Sequence, residues 1–182
     1  MTVLDELWRE IDATMSTEGF KIEILDGKVV MTPRTPEQDW TIDEIKSAAR
    51  RTGLTRERLV SDVAIDFPDE TSSAPDVAIL DNGAHRTQNR FTCVDLLAAF
   101  EVVSRPGDPN DYVLKVEKYG RYGVGVYVVA DPFTRICTVF EQPQGTGYGE
   151  RTEVRYGESF DVRLSTGEAF TVDTGTFPSK ST

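Results

Sequence analysis

Two acidic residues stand inside strongly hydrophobic segments. Asp76 follows Pro75 and precedes Val77-Ala78-Ile79-Leu80, and Glu101 lies in the run from Leu96 to Val103, which is otherwise apolar. A buried carboxylate without a partner is costly, so it requires a cationic side chain, a hydrogen-bonding helix end, a raised pKa or a divalent cation. Each acid alone is also compatible with the exposed end or edge of a strand. The two together favour a site that stabilises a pair of carboxylates.

A second group of polar residues follows these segments. Asp111, Lys115 and Tyr119 are spaced by four residues, so they share one face of a helix. An Asp–Lys pair at this spacing is by itself typical of a solvated helix. Combined with two buried acids it suits phosphodiester hydrolysis, because carboxylates bind Mg²⁺ through hard oxygen ligands and the ion lowers the pKa of an attacking water. The lysine would balance charge on the phosphate or hold the water.

The composition removes most other chemistries. The chain has 182 residues with one histidine, His85, and two cysteines, Cys93 and Cys137, far apart in sequence. These numbers exclude multi-histidine metal sites and CxxC chemistry, and any Ser-His-Asp or Cys-His site would have to use His85, which we interpret as a loop residue. Carboxylates, lysines and a hard metal ion remain as the means of catalysis.

Length and charge set the molecular class. We expect residues 1–182 to form a single domain, because domains usually contain ~100–200 residues. The apolar share is 38% and no apolar run approaches ~20 residues, so we expect no association with a membrane. The first residues lack the features of a signal peptide, which predicts a cytoplasmic protein with reduced thiols. The formal net charge of −11 argues on average against a polyanionic partner.

Several elements before Asp76 would position these residues. Apolar spacing predicts an amphipathic helix over residues 3–15, and alternation around Asp26-Gly27 predicts a hairpin from Phe20 to Met31. Thr35-Pro36-Glu37-Gln38 combines an N-cap, a proline at the first helical position and a capping-box glutamine, so a helix begins there and ends at Gly53. Its predicted buried side consists of Trp40, Ile45, Ala48 and Ala49.

The remaining pattern alternates strands with one further helix. Strands are predicted at residues 59–67, 76–80, 96–103, 126–129 and 135–141, a helix at 110–122 that ends at Gly123 or Gly125, a loop at 145–149, and extra short strands towards the C-terminus. The strands at 76–80 and 96–103 are predicted to be central and buried. This order predicts an α/β fold with a mixed β-sheet flanked by helices.

Four blocks in a consistent order resemble one nuclease family. They are Phe20–Gly27, Pro75–Ile79, Glu101–Pro106 and Asp111-x3-Lys115-x3-Tyr119-x3-Gly123-Val124-x2-Tyr127-x3-Asp131-Pro132. Together they resemble the Uma-two type of restriction endonuclease, a group of the PD-(D/E)XK nuclease superfamily. The resemblance spans roughly residues 20–141. It implies a restriction-endonuclease-like core and Mg²⁺- or Mn²⁺-dependent cleavage of DNA.

The resemblance assigns roles to the acids. Asp76 and Glu101 match the two motif acids that bind the metal, with the backbone carbonyl near Val102 as a further ligand. Glu23 matches an acid before the hairpin glycine, and the resemblance implies that it supports the site, either behind the metal ligands or facing the metal. Asp111 and Tyr119 would support it from their shared helix face.

The catalytic lysine is displaced from its usual position. In most of the superfamily it stands two residues after the acid, where this chain has Val103. In this group it lies on the following helix, which makes Lys115 the candidate, and a lysine stem of about 6 Å can reach the same point from a helix. Gln38 and Val128 also depart from the group, which often has histidine and tryptophan there; the first change affects substrate contacts and the second packing.

Three functions remain open from the sequence. The first is a metal-dependent endonuclease that hydrolyses DNA phosphodiester bonds, the second a catalytically inactive nuclease-fold binding or regulatory module, and the third a hydrolase of a small phosphate ester. The basic segment Lys46–Arg58, opposed only by Glu57, and Arg86, Arg90 and Arg105 offer a local surface for weak, salt-sensitive DNA binding, although it is also compatible with a solvated helix face. A homodimer is compatible with this fold, since such nucleases often pair to cut two strands.

Overall fold

The structure, a computed structural model, describes residues 3, 6, 7, 10, 11, 20–25, 28–68 and 70–181. Of the N-terminal helix predicted for residues 3–15, the described positions 3, 6, 7, 10 and 11 are helical. The rest of that helix and the predicted Asp26-Gly27 turn lie outside the described residues.

From Phe20 onward the described chain forms a series of strands with two α-helices. The strands are β1 (Phe20–Leu25), β2 (Lys28–Pro33), β3 (Leu59–Val60), β4 (Ala64–Phe67), β5 (Glu70–Ser73), β6 (Val77–Leu80), β7 (Arg90–Thr92), β8 (Leu96–Val102), β9 (Val126–Asp131), β10 (Ile136–Gln144), β11 (Gly147–Arg155), β12 (Ser159–Arg163) and β13 (Ala169–Asp173). The helices are α1 (Pro36–Arg51) and α2 (Lys115–Arg121), and a π-helical turn, Asn110–Leu114, leads directly into α2.

A six-stranded mixed sheet forms the centre, in the order β11-β10-β9-β8-β6-β3. β8 pairs in parallel with β9 and antiparallel with β6, which confirms the predicted α/β fold with a mixed sheet flanked by helices. Alternate residues of these strands enter two hydrophobic clusters: Val77, Phe100 and Val128 lie in one, Ala78 and Val129 in the other. α1 packs on the first face with the β12–β13 hairpin, and Tyr119 of α2 packs on the second.

The start of α1 follows the sequence prediction in detail. The Thr35 hydroxyl accepts a hydrogen bond from the Gln38 N–H at 3.5 Å, and the Gln38 side chain accepts one from the Thr35 N–H at 3.0 Å. Gly53 follows the helix with φ +97°, a conformation that glycine adopts without strain. Trp40 was wrongly predicted to be buried. It is 58% exposed, because the buried stripe runs through Gln38, Thr41, Ile42, Ile45, Ala48 and Ala49.

The predicted strand 59–67 is broken. Its first part is β3, at the edge of the central sheet, and its second part is β4, in a separate three-stranded sheet of order β5-β4-β7. The break lies next to Asp62, whose φ of 52° is left-handed and whose N–H donates to the carbonyl of Pro75 at 3.1 Å. The apolar alternation of Val63, Ile65 and Phe67 begins only after the polar pair Ser61-Asp62, and this interruption is the one sign of the corner in the sequence.

The predicted loop at 145–149 is much shorter than expected. Gln144 pairs with Gly147, so β10 and β11 form a hairpin with a two-residue turn. α2 lies against this hairpin so closely that a methyl group at Gly120 would overlap the carbonyl of Gly147. The predicted breaks after α2 and the extra C-terminal strands are confirmed, with Gly123 at φ +74° and β12 paired to β13. Within the described chain, no helix is long and apolar enough to cross a bilayer.

Candidate active site

The pairing of β6 with β8 brings the two predicted acids together. Val77 pairs with Phe100 in antiparallel register, so the next positions, Asp76 and Glu101, stand opposite each other. Both side chains are about 1% exposed. By strand alternation they point to the sheet face on which α2 packs, and the sheet therefore presents two buried carboxylates side by side to that helix.

Lys115 reaches this pair from the first turn of α2. Its Nζ lies 2.9 Å from Glu101 Oε1, 2.8 Å from Asp111 Oδ1 and 2.8 Å from Glu23 Oε1. The structure thus brings together the displaced lysine, the strand acid and two of the residues predicted to support them. Because the π-helical turn supplies Asp111 one turn before Lys115, the pair shares a face as their spacing indicated.

Lys21 is a site residue that the sequence analysis did not single out. Its Nζ donates to Asp76 Oδ1 at 2.9 Å and forms an ion pair with Glu101 Oε2, and it lies 3.7 Å from Glu23 Oε1. The signal was present, because Lys21 and Glu23 are two residues apart on β1 and so share one face of that strand. Because Glu23 was already assigned to the site, the two-residue period of the strand predicts Lys21 there as well.

The backbone of Val102 connects the acids to α1. Its N–H donates to Asp76 Oδ2 at 2.6 Å, and its carbonyl accepts a hydrogen bond from Gln38 Nε2 at 3.4 Å. Gln38 is buried, with 5% of its surface exposed. The residue that departs from the family pattern therefore contacts the carbonyl that was predicted as a metal ligand, and it orients that carbonyl from the first turn of α1.

Tyr119 lies deeper than the lysine. It is fully buried, and its ring packs edge-on against Tyr127 with centroids 4.9 Å apart. The Tyr119 hydroxyl has no hydrogen-bond partner among the described residues, whereas the Tyr127 hydroxyl donates to the backbone carbonyl of Asp111 at 2.9 Å. The two tyrosines thus support the segment that carries Lys115, chiefly through ring packing and one hydrogen bond.

Burial and the two lysines shift the pKa values of the acids at the site in opposite directions. Burial raises the pKa of Glu101, and the attraction of Lys115 and Lys21 offsets this rise only in part. Burial opposes ionisation of Glu23 as well, yet Lys21 and Lys115 lower the pKa of this carboxyl to about 2. Burial disfavours the charged lysines, but Asp76 and Glu101 raise the pKa of Lys21 well above its ordinary value. Glu101, Asp111 and Glu23 likewise raise the pKa of Lys115 against the effect of burial, which favours the charged form of both lysines.

The donor set fits a hard divalent cation in kind and in charge. Asp76, Glu101 and the Val102 carbonyl supply the oxygen ligands that Mg²⁺ and Mn²⁺ prefer. Glu101 Oε1 is buried and accepts no hydrogen bond in the described chain, although Lys115 is close. The described residues contain no ready cluster of three or more metal-binding side chains, and the cation between the two acids is the Lys21 ammonium.

The site opens into a small cleft. Its walls carry both charges, because the cationic side chains of Lys21 and Arg34 line it together with the carboxylate of Glu23. The other lining residues are Thr32, Pro33, Gln38, Val102, Ser104, Asp108, Asn110 and Asp111. A phosphate group entering this cleft would meet cationic side chains as well as carboxylates.

The basic surface predicted for DNA is smaller than expected. Arg58 is buried, donates to the carbonyl of Leu80 at 2.8 Å and pairs with Glu168. Arg90 is also buried and bonds Asp66 and Ser72. Both guanidinium groups fold inward to satisfy polar groups, so their inclusion in the basic surface was wrong. The remaining arginines of that set, Arg50, Arg51, Arg56, Arg86 and Arg105, are exposed.

Comparison with known proteins identifies the family. The family model "Uma2: Putative restriction endonuclease" matches residues 7–174. The chain belongs to the Uma2 family. The resemblance inferred from the sequence blocks is thereby confirmed. A solved structure, a "putative nuclease belonging to DUF820" from Anabaena variabilis ATCC 29413, is 17% identical to the Uma2 chain. The match has a TM-score of 0.60 and covers 89% of each chain, which shows a shared fold. Comparison with curated proteins finds no match.

Proposed function

We propose that this Uma2 protein is a divalent-metal-dependent endonuclease that hydrolyses DNA phosphodiester bonds. One observation carries the proposal: the strand register sets Asp76 beside Glu101, and Lys115 Nζ lies 2.9 Å from the Glu101 carboxylate. Membership of a family described as a restriction endonuclease supports a nucleic acid as the substrate. The arrangement needs neither histidine nor cysteine for its chemistry.

Asp76, Glu101 and the carbonyl of Val102 would hold Mg²⁺ or Mn²⁺. When bound, such an ion stabilises charge on the phosphate and acidifies a water. The protein fixes the orientation of these ligands: the Val102 N–H holds Asp76 Oδ2, and Gln38 holds the Val102 carbonyl. Hydrogen bonds of this kind restrict the ligands to one geometry, and their loss commonly reduces metal affinity.

Lys115 is the proposed catalytic cation. Asp111 and Glu23 hold its ammonium at 2.8 Å each, so its position is fixed before the substrate arrives. A preorganised cation stabilises negative charge that develops on the phosphate without a cost for reorientation. Its burial strengthens this effect, because few water molecules screen the charge.

One observation favours a second candidate, a metal-free nuclease-fold binding module. The two lysines already satisfy Asp76 and Glu101 without a metal, as an inactive relative that kept the fold would require. Hydrolysis of a small phosphate ester is the third possibility, since the cationic side chains of Lys21 and Arg34 line the cleft and would attract a phosphate group. The experiment below separates the three.

The test is nicking of supercoiled plasmid with Mg²⁺ or Mn²⁺. We expect the wild type to nick it, and Asp76→Asn, Glu101→Gln and Lys115→Met to lose at least about a hundredfold in rate, because each removes a ligand or the fixed cation. Glu153→Gln, an exposed change on β11, is the matched control and should leave the rate unchanged. Thermal denaturation verifies that each variant folds.

The outcomes of this test either reject the assigned site or favour one of the three candidate functions. Equal nicking by wild type and all three site variants would reject the assigned site. If the wild type binds DNA but does not nick it, the binding module would be favoured. Hydrolysis of a nitrophenyl phosphate ester without any cleavage of plasmid or single-stranded DNA would favour the small-ester hydrolase.

A further inference from the structure

The ammonium of Lys21 lies in the space shared by the two acids. It contacts Asp76 Oδ1 at 2.9 Å and pairs with Glu101 Oε2, and its side chain is 11% exposed. The second oxygen of Asp76 is held by the Val102 N–H. The lysine therefore takes the oxygen of Asp76 that is left for another ligand, together with one oxygen of the opposite carboxylate.

Lys115 makes a different set of contacts. It touches Glu101 through Oε1, the oxygen that Lys21 does not use, and its other partners are Glu23 and Asp111. Lys115 can thus stay in place when the space between the acids changes its occupant. Lys21 cannot, because an ion such as Mg²⁺ binds carboxylate oxygens at about 2.0–2.1 Å and would overlap the ammonium.

Lys21 has an alternative position nearby. Its Nζ is already 3.7 Å from Glu23 Oε1, and the residue lines the open cleft. A small rotation of its flexible stem would move the ammonium towards Glu23 and the cleft without leaving it unpaired. The carboxylate groups gain a dication in exchange for a monocation, which suits a cluster in which four acids face two lysines.

We propose that Lys21 is a positioning residue that takes the place of the metal: it holds Asp76 and Glu101 together in the metal-free protein and is displaced when a divalent ion binds. This inference rests on the proposed function, since it uses the same two acids as metal ligands. It adds that metal binding is an exchange of cations, so the affinity of the site for metal is limited by the lysine that must leave.

The test is calorimetric titration of Mn²⁺ into the wild type, Lys21→Met and Lys115→Met, without DNA. Removing any nearby positive charge strengthens cation binding somewhat, and Lys115→Met measures that general effect because it loses the same charge beside the same Glu101. We expect Lys21→Met to bind Mn²⁺ at least about tenfold more tightly than Lys115→Met does. Equal affinities in the two variants, or no binding by Lys21→Met, would overturn the inference.

Thermal denaturation provides a second readout. Without metal, Lys21→Met leaves two buried acids with one partner fewer, so it should melt below the wild type, and Mn²⁺ should raise its melting temperature by more than that of the wild type. If Lys21→Met does not fold, Lys21→Gln replaces it in both experiments, because the glutamine keeps a hydrogen-bond donor. We expect the same tighter Mn²⁺ binding and the same larger shift in melting temperature. A smaller Mn²⁺ shift than in the wild type would contradict the exchange.

The cation exchange at Lys21 and the endonuclease activity can be rejected independently of each other. Tighter Mn²⁺ binding by Lys21→Met with no nicking by the wild type would support the exchange and reject the endonuclease. Nicking by the wild type with equal Mn²⁺ affinities in the two lysine variants would support the endonuclease and reject the exchange.

Discussion

Individual residues at the site obey two requirements, burial and charge compensation. Asp76 and Glu101 were recognisable because an acid inside an apolar run must have a partner. Lys21 was not recognised, because a lysine on an alternating hairpin strand looks like an ordinary solvated side chain. What decides its role is the position of β1 beside Asp76 and Glu101, which lie 55 and 80 residues away. Local spacing places Lys21 on the same strand face as Glu23, but it does not show that this face meets residues so distant in sequence.

Asp62 is expected to make stability depend on pH. Its burial, and then Asp76 nearby, raise the pKa of Asp62 to about 6, and Arg34 offsets this in part. An unfolded chain titrates near 4, so between pH 4 and 6 the folded protein holds the extra proton, and the stability from that proton is lost as the pH rises through this window. Asp62→Asn removes the titration and still tolerates a φ of 52°.

The measurement is the melting temperature of the wild type minus that of Asp62→Asn, from pH 4 to 8. We expect this difference to fall between pH 4 and 6 and to be level above 6. A difference that is constant from pH 4 to 6 would show that Asp62 does not bind the proton in the folded protein.

Tyr119 tests how its hydroxyl contributes. This fully buried group has no hydrogen-bond partner among the described residues, and leaving a polar group unpaired in a core costs about 1–3 kcal/mol. Tyr119→Phe keeps the ring contact with Tyr127 and removes the unpaired group. We expect its free energy of unfolding in urea to equal or exceed that of the wild type by up to about 1 kcal/mol. A decrease of that size would reveal an ordered partner of the hydroxyl.

At the scale of elements, helices and strands were predicted well where residues close in sequence determine them. The capping box of Thr35 and Gln38 and the glycine after the helix predicted α1 to within a few residues. The strands at 76–80 and 96–103 are central, as their continuous apolar character indicated. The corner at Asp62 was missed because it depends on which sheet each strand joins. The short β10–β11 turn was missed because three glycines within residues 145–149 are typical of a loop, although Gly147 and Gly149 belong to β11.

The contact between α2 and the β10–β11 hairpin should be sensitive to a single methyl group. A Cβ at Gly120 would overlap the backbone carbonyl of Gly147, and backbone cannot yield as a flexible side chain does. We expect Gly120→Ala to lower the free energy of unfolding by about 1–3 kcal/mol, as overpacking usually does. It should also reduce nicking, since α2 carries Lys115. Gly147→Ala is the matched control, because its own methyl would meet open space; equal stability of the two variants would contradict the close approach.

For the whole molecule, the distribution of charge matters more than the total of −11. Part of the excess acid is the site itself, in which four carboxylates face two lysines. Part of the basic surface is lost, since Arg58 and Arg90 pair internally with Glu168 and Asp66. Those partners lie 110 and 24 residues away, so the sequence could indicate a basic segment but not which arginines stay exposed.

Two of the exposed arginines, Arg50 and Arg51, lie at the far end of α1 from the site. Gln38, in the first turn, contacts Val102, whereas Arg50 and Arg51 occupy the last turn. At 1.5 Å per residue the twelve positions between Gln38 and Arg50 span about 18 Å, which equals roughly five nucleotides at 3.4 Å each. A duplex bound at the site could therefore reach these arginines, whereas a mononucleotide ester could not.

We accordingly expect the double variant Arg50→Gln/Arg51→Gln to discriminate between substrates by length. It should weaken binding of a 20-base-pair duplex and lower the slope of log affinity against log salt by up to about 2, since each lost phosphate contact contributes about 0.9. Hydrolysis of a thymidine nitrophenyl phosphate ester, if the site accepts it, should be unchanged. Arg151→Gln/Arg155→Gln, which removes two exposed arginines of β11, is the control matched for net charge. If it reduces the slope as strongly, DNA is attracted by overall charge and does not contact the end of α1.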